Sequence, residues 1–370
     1  MPRLDQASRI VIKIGSSLLV DEQDGRIRRS WLHSLADDIT LMRNRGCEVV
    51  IVTSGAIAIG RRHLDLPPGR LRLDDSQAAA AAGQARLVHA YQDALSRHDT
   101  GTAQLLLTLD DTEDRRRYIN ALNTLNRLLK YGVIPVINEN DTIATHEIRF
   151  GDNDRLSARV AMMASADALV LLSDIDGLYE RDPKDDPGAP LVEQVDAITP
   201  RIEAMAGRIR AGDSSGGMKT KLIAAGIAMT AGCHMVISNG HILHPLRAVL
   251  EGRPCTWFIA RDNPAGARKR WIAGSLKPSG TITVDAGAHA ALNRGRSLLP
   301  AGVTGVAGAF RKGDAVIVED PNGVEIARGL IAYSRDDAES IAGQKSSEIE
   351  RLLGYRGREE LIHRDDLVLS

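Results

Sequence analysis

Ile134 to Arg159 reads IPVINENDTIATHEIRFGDNDRLSAR. The stretch opens on an apolar run that ends at Asn138, crosses a polar segment with Glu139, Asn140 and Asp141, and reaches Gly151-Asp152-Asn153-Asp154. An apolar-periodic segment, Leu156 to Ala164, follows at once. That order predicts a strand, a long hairpin-like loop and then a helix. Acids and amides packed so densely at the end of a strand and the start of a helix suit a polar, cationic or metal-bound ligand. The plainer alternative is a solvated acidic loop in which Asp152, Asn153 or Asp154 only caps the helix. Two lysine-bearing segments elsewhere decide between these readings.

The first is Arg9 to Ile14 (RIVIKI), a β-branched run that ends in Gly15-Ser16-Ser17. A lysine inside a buried strand is costly unless its ammonium finds a partner, so Lys13 is a candidate site residue. The alternative is a lysine that snorkels out of an edge strand. The second is Ser214-Ser215-Gly216-Gly217, which feeds a helix from Met218 to about Ala231 that carries Lys219, Thr220 and Lys221 in its first turn. Backbone N–H groups at a glycine-rich helix start, together with an ammonium, make an anion site.

Between these landmarks strands and helices alternate. Helices are predicted at Ser30 to Asn44 and at Asp75 to Ser96 with its five consecutive alanines, and Asp110 to Arg117 (DDTEDRRR), a run read as a solvated face, opens another. Strands are predicted at Glu48 to Thr53, running into Ser54-Gly55-Ala56, at Thr102 to Leu107, and at Ala168 to Leu172, running into Ser173-Asp174. Two more follow at His234 to Ser238 and Thr256 to Ala260. The pattern over residues 9 to 260 predicts an α/β fold, a three-layer αβα sandwich around a largely parallel sheet, with ligands at the carboxyl ends of the strands. Residues 1–260 form the first domain, 261–278 a Gly-, Pro- and Arg-rich linker, and 279–370 a small β-rich domain with strands near Thr281 to Asp285, Ala315 to Glu319 and Glu325 to Leu330.

Composition narrows the class further. With 47 Lys+Arg against 48 Asp+Glu, bulk electrostatics hold the chain to neither nucleic acid nor membrane. Cys47, Cys233 and Cys255 are three, far apart and without a CxxC, which fits three small core residues in a reduced compartment rather than a zinc or disulfide framework. No signal-peptide core or bilayer-length apolar run is seen, so the sequence predicts a soluble, cytoplasmic protein. There is no GxG and no GK dipeptide, which excludes the dinucleotide fingerprint, the protein-kinase glycine loop and the P-loop.

Taken together, VIKIGSS (11–17), IVTSGAIAIG (51–60), PVINENDTIAT (135–145), GDNDRLSA (151–158), LLSDIDGLY (171–179) and SGGMKTKL (215–222) resemble the glutamate 5-kinases of the amino acid kinase family, nearly end to end. The C-terminal part resembles the PUA domain, an RNA-binding module in other proteins. The resemblance implies transfer of a phosphoryl group from ATP, with Mg²⁺, to the γ-carboxylate of L-glutamate, the first step of proline biosynthesis. It places Lys13 and Lys221 about the migrating phosphoryl group, with Asp154 holding both lysines. It gives the acceptor site to Ser54, Gly55, Ala56, Asp141, Asp152 and Asn153. The nucleotide site falls to Lys13, Ser173, Asp174 and Ser215, Gly216, Gly217, Met218, Lys219, Thr220 and Lys221. No metal-ligating residue is assigned. Ser173 stands where many relatives have Thr, and Ser214 and Lys219 depart from a common GTGGM form, which bears on nucleotide affinity.

The chemistry of the residues agrees with this. A carboxylate acceptor is already anionic at neutral pH, so the site needs positioning and charge compensation rather than a general base. Asp141 can meet the α-ammonium, and Gly55-Ala56 can offer N–H groups to the α-carboxylate. The resemblance also implies a homo-oligomer, dimer or tetramer, feedback inhibition by proline, and transfer of the product to the glutamyl phosphate reductase. Two alternatives stand beside it. One is another amino acid kinase, acting on acetylglutamate, aspartate, carbamate or UMP. The other is an RNA-binding protein with a regulatory kinase-like half, although residues 277–370 carry 12 Lys+Arg against 14 Asp+Glu and only three aromatics, poor equipment for nucleic acid.

Overall fold

The computed structural model describes residues 3–21, 25–67, 69, 71–143, 152–207, 217–274 and 278–370, without the side chains of 152, 268, 270, 271, 273 and 274. The chain divides into two units, Met1–Asp114 with Asn120–Pro264, and Arg115–Ile119 with Ala265–Ser370.

The larger unit is built on one eight-stranded sheet. Its strands are Arg9–Ile14 (β1), Glu48–Thr53 (β2), Thr102–Leu107 (β3), Ile134–Glu139 (β4), Ala168–Ser173 (β5), Gln194–Val195 (β8), His234–Asn239 (β9) and Cys255–Phe258 (β10), the short hairpin Leu178–Tyr179 (β6) with Leu191–Val192 (β7) standing apart. The spatial order is β3-β4-β2-β1-β5-β9-β10-β8, and every pair is parallel except β9 with β10. The central strands are buried almost throughout, as a sheet covered on both faces requires. The helices that cover it include Arg29–Asn44, Ala56–His63, Leu73–Ser96, Arg115–Lys130, Asp152–Met163 and Met218–Thr230.

Three differences from the sequence reading have local causes. The helix expected across DDTEDRRR is two helices, Leu109–Glu113 and Arg115–Lys130, because Asp114 sits in extended backbone (ψ 117°) between them. The first of these is fixed by a capping box, Thr108 and Asp111 bonding reciprocally. The helix expected from Leu156 begins at Asp152, so Asp154 lies in its first turn. Finally, the segment read as a linker contains a helix, Pro264–Gly274, whose Ile272 is buried against Ala315 and Leu330 of the smaller unit.

The smaller unit carries a five-stranded sheet, Gly280–Val284 (β11), Val303–Gly308 (β12), Ala315–Glu319 (β13), Glu325–Leu330 (β14) and Leu367–Leu369 (β15), in the order β12-β11-β13-β14-β15. Strands β12 and β15 are not among those expected from the sequence. Short helices at Ala286–Asn293 and Arg335–Ile341 begin at Asp285 and Ser334, whose side chains accept from backbone N–H groups three residues on. The unit has its own core, including Ile282, Val316, Tyr333, Ile341 and Ile362. Cys47 and Cys233 are buried in the larger unit, and Cys255 is half-buried against its core. No helix among the described residues is long and apolar enough to cross a membrane.

Candidate active site

Register brings the distant motifs to one edge. Lys13 lies level with Val52 of β2 and Leu171 of β5, so the glycine turn after β1 sits beside the ends of both neighbours. At the same edge β2 runs out into Ser54-Gly55, β4 into Asn138 and Glu139, β5 into Ser173-Asp174 and β9 into Asn239-Gly240. Gly55 has φ 109°, a conformation that side chains avoid, and it starts the helix Ala56–His63. This is how β2 can turn from strand to helix in so short a span.

The centre of the site is a buried ionic triad. Lys13 Nζ lies 2.6 Å from Asp154 Oδ1, and Lys221 Nζ lies 3.5 Å from Asp154 Oδ2. Thr220 Oγ1 donates to Asp154 Oδ2 at 2.8 Å. Asp154 is wholly buried, and Lys13 and Lys221 are 8% and 5% exposed, so none of the three snorkels to solvent. Burial pushes the Asp154 carboxyl up, but the two ammonium groups and the Thr220 hydroxyl outweigh it and hold the pKa below the ordinary value. Burial lowers the Lys221 pKa, with Lys13 adding repulsion and Asp154 pulling the other way. Asp154 is therefore not a simple helix cap: its carboxylate is committed to the lysines. Two cations on one anion leave the buried triad with a net charge of about +1, a receptor for further negative charge.

Beside the triad runs a chain of amides. Asn153 Nδ2 donates to Ser54 Oγ at 2.6 Å, to the Thr53 carbonyl at 3.2 Å and to Asn138 Oδ1 at 3.2 Å. Asn138 Nδ2 in turn donates to Gln84 Oε1 at 2.7 Å. Asp141, half-buried after β4, has its pKa pushed up to about 6 by burial. On the other flank Ser173 Oγ donates to Asp174 Oδ1 at 3.0 Å, and the exposed Asp174 is close enough to raise the Lys221 pKa. Asp176 accepts from Asn239 Nδ2 at 3.2 Å and from the Tyr179 hydroxyl at 3.0 Å, which fixes the loop after β5.

Of the residues singled out from sequence, Lys13, Thr220, Lys221 and Asp154 are in contact, and Ser54 and Asn153 are bonded to each other. Gly55 and Ala56 begin the adjoining helix, Asp141 stands just past the end of β4, and Gly217 opens the helix Met218–Thr230, with Met218 half-buried and Lys219 exposed. Asp152 starts the helix Asp152–Met163, its side chain outside the described set; Gly151, Ser214, Ser215 and Gly216 lie outside it entirely. Sequence reasoning misses Asn138 and Gln84. A signal exists for each: Asn138 is an amide at the end of an apolar run, and Gln84 is an amide directly after the run Ala78 to Gly83.

Residues 8–239 match the amino acid kinase family and residues 280–353 the PUA domain. The glutamate 5-kinase of Paramagnetospirillum magneticum is 59% identical over the whole of both chains. Those of Nitrobacter winogradskyi and Bradyrhizobium sp. are 57% and 58% identical over all of this chain and 97% and 98% of theirs. Matched from end to end by enzymes of one activity, the chain belongs to the glutamate 5-kinases of the amino acid kinase family.

Proposed function

We propose that this chain transfers the γ-phosphoryl group of ATP to the γ-carboxylate of L-glutamate, giving L-glutamyl 5-phosphate and ADP, the first step of proline biosynthesis. The observation that carries this reading is the convergence of Lys13 and Lys221 on one buried carboxylate, Asp154. The acceptor is an anion and so is the donor; the triad, two cations on one anion, draws them together and offsets the charge that spreads over the phosphoryl oxygens in flight. No side chain has to remove a proton from the acceptor. Ser54, Asp141, Asp152 and Asn153 hold glutamate, with Gly55 and Ala56 giving N–H groups to its α-carboxylate. Ser173, Asp174 and Ser215, Gly216, Gly217, Met218, Lys219, Thr220 and Lys221 line the nucleotide site.

Mg²⁺ fits this arrangement as a companion of the nucleotide. Asp154 is already engaged by two lysines and a threonine, and the described residues hold no group of three acids, imidazoles or thiols about one point. The metal would take its oxygen ligands chiefly from the ATP phosphates, with the exposed Asp174 an acid at hand, and would supply further charge neutralisation there. We read residues 1–260 as the kinase domain and 279–370 as the PUA-like domain. The enzyme is cytoplasmic and a homo-oligomer, proline competes for the glutamate pocket, and the acyl phosphate passes to the glutamyl phosphate reductase.

The test is acceptor screening with ATP, Mg²⁺ and hydroxylamine, which traps an acyl phosphate as its hydroxamate. Hydroxamate forms with glutamate and not with aspartate, acetylglutamate or carbamate; product from one of those in place of glutamate would refute the assignment. Proline should raise the KM for glutamate and leave kcat unchanged, and inhibition noncompetitive with glutamate would remove it from that pocket.

A further inference from the structure

We propose that Gln84, on the helix Leu73–Ser96 and outside the motifs that mark the site, is a positioning residue that secures the orientation of the acceptor-binding amides by accepting from Asn138. The inference rests on glutamate being the acceptor and Asn153 one of its ligands. It starts from an asymmetry of donors and acceptors. The Thr53 carbonyl can only accept, so the Asn153 amide must turn its Nδ2 toward it, 3.2 Å away. That same Nδ2 lies 3.2 Å from Asn138, which must then present Oδ1. Asn138 is 2% exposed, and its Nδ2, now pointing the other way, meets Gln84 Oε1 at 2.7 Å. Three amides are thus polarised in one direction between a backbone carbonyl and Gln84.

Turning any one of them would set N–H against N–H or oxygen against oxygen, which a buried site does not tolerate. The consequence falls on Asn153 Oδ1, buried and without a hydrogen-bond partner among the described residues. A lone acceptor held in a fixed direction, with the Asp141 carboxylate in the same acceptor site, is the complement of an α-ammonium. The order is set at the Thr53 carbonyl and closed at Gln84, whose Nε2 is buried without a hydrogen-bond partner among the described residues. Seven residues beyond Gln84, on the same face, the wholly buried Tyr91 hydroxyl lies 2.8 Å from Thr53 Oγ1. One helix therefore braces both ends of the relay.

Gln84→Leu removes the acceptor at nearly constant volume and strands the buried Asn138 N–H, whereas Gln84→Glu keeps an acceptor at the same place. Steady-state kinetics on the full chain should show KM for glutamate raised about tenfold in Gln84→Leu, with KM for ATP and kcat within about twofold of wild type. Gln84→Glu should recover most of the lost affinity. An unchanged KM for glutamate in Gln84→Leu would overturn the proposal. So would equal damage to glutamate and ATP, or Gln84→Glu as impaired as Gln84→Leu, since each describes a merely structural residue. If the leucine variant does not fold, Gln84→Met repeats the measurement under the same criteria. A wild-type enzyme that consumes ATP without needing glutamate would refute the underlying reading instead, independently of any Gln84 variant.

Discussion

At the scale of single residues, the triad carries a cost in stability. Removing three charges from water costs several kcal/mol per ion, and a buried ion pair at best recovers that. Asp154→Asn leaves Lys13 and Lys221 buried without a counterion, and a loss of roughly 3–5 kcal/mol of unfolding free energy is expected from chemical denaturation, along with loss of activity. Lys221→Ala behaves differently, because Asp154 keeps Lys13. Its fold should survive while kcat falls by roughly 10²-fold or more; near-normal turnover would remove Lys221 from the mechanism. Acid acts on two carboxyls with opposite sign. Asp154 is held below the ordinary value, so its contribution to stability is complete above the unfolded pKa of about 3.9 and is lost as pH falls through the folded pKa. Asp141 is pushed up to about 6, so its neutral form is the one the fold prefers, and stability declines slightly as pH rises from the ordinary carboxylate value to about 6. On the proposed reading Asp141 meets the substrate's ammonium, and below that pH it has no charge to offer it. We expect log kcat/KM for glutamate to fall on the acid side with an apparent pKa of about 6, and the limb to flatten in Asp141→Asn, whose KM is raised throughout. A wild-type profile flat down to about pH 5, a full unit below that value, would refute the role.

At the scale of elements, the pocket depends on how two helices cross. A methyl group on Gly60 would come within 1.8 Å of the Ala79 carbonyl oxygen, and one on Gly83 within 1.8 Å of the Ala56 carbonyl oxygen. The helices Ala56–His63 and Leu73–Ser96 therefore lie backbone against backbone, with Ala56 starting one and Gln84 placed by the other. Gly60→Ala and Gly83→Ala should each lower stability by about 1–3 kcal/mol or more, read as a drop in Tm, and Gly83→Ala should also raise the KM for glutamate because it displaces Gln84. Unchanged Tm in both would mean the crossing is looser than the structure has it. This crossing marks where the sequence stops being readable. The five alanines Ala78 to Ala82 announce a closely packed helix, but nothing local says which helix it packs on. The central strands and their helices are legible because burial on both faces writes itself as continuous apolar runs, Ala168 to Leu172 among them. Lys13, Lys221 and Asp154 are legible as chemistry misplaced in such runs or at helix starts. The amide relay is not, since Asn138, Asn153 and Gln84 meet only through tertiary packing. Strands β12 and β15 escape for a related reason: Val303–Gly308 holds three small or polar residues facing outward, and Leu367–Leu369 is too short to show alternation.

At the scale of the whole molecule, two units with separate cores raise the question of what the smaller one binds. Its match to the PUA domain suggests RNA, and its residues argue against it. Single-strand recognition uses exposed aromatic faces and unpaired cations. Of the three aromatics over 277–370, Phe310 and Tyr333 are core residues, 4% and 2% exposed, which leaves Tyr355, 47% exposed with its hydroxyl donated to Asp337, as the one ring open to stacking in that range. Several cations are already paired within the unit: Arg328 with Glu325, Arg335 with Asp336 and Glu339, Arg351 with Glu348, and Arg364 with Asp365. Over 277–370 there are 12 basic against 14 acidic residues, so phosphate contacts made by that range would work against a net negative charge; the basic runs Arg115 to Arg117 and Arg268 to Arg270 of the same unit lie outside it. Fluorescence anisotropy of the full chain with a labelled tRNA at low salt should therefore show no saturation up to roughly 10⁻⁵ M, where ordinary non-specific binders are well occupied. Binding in that range that weakens steeply as salt is raised would show that the cations are exchanged onto phosphate, and the smaller unit would then be a nucleic-acid module carried by a kinase.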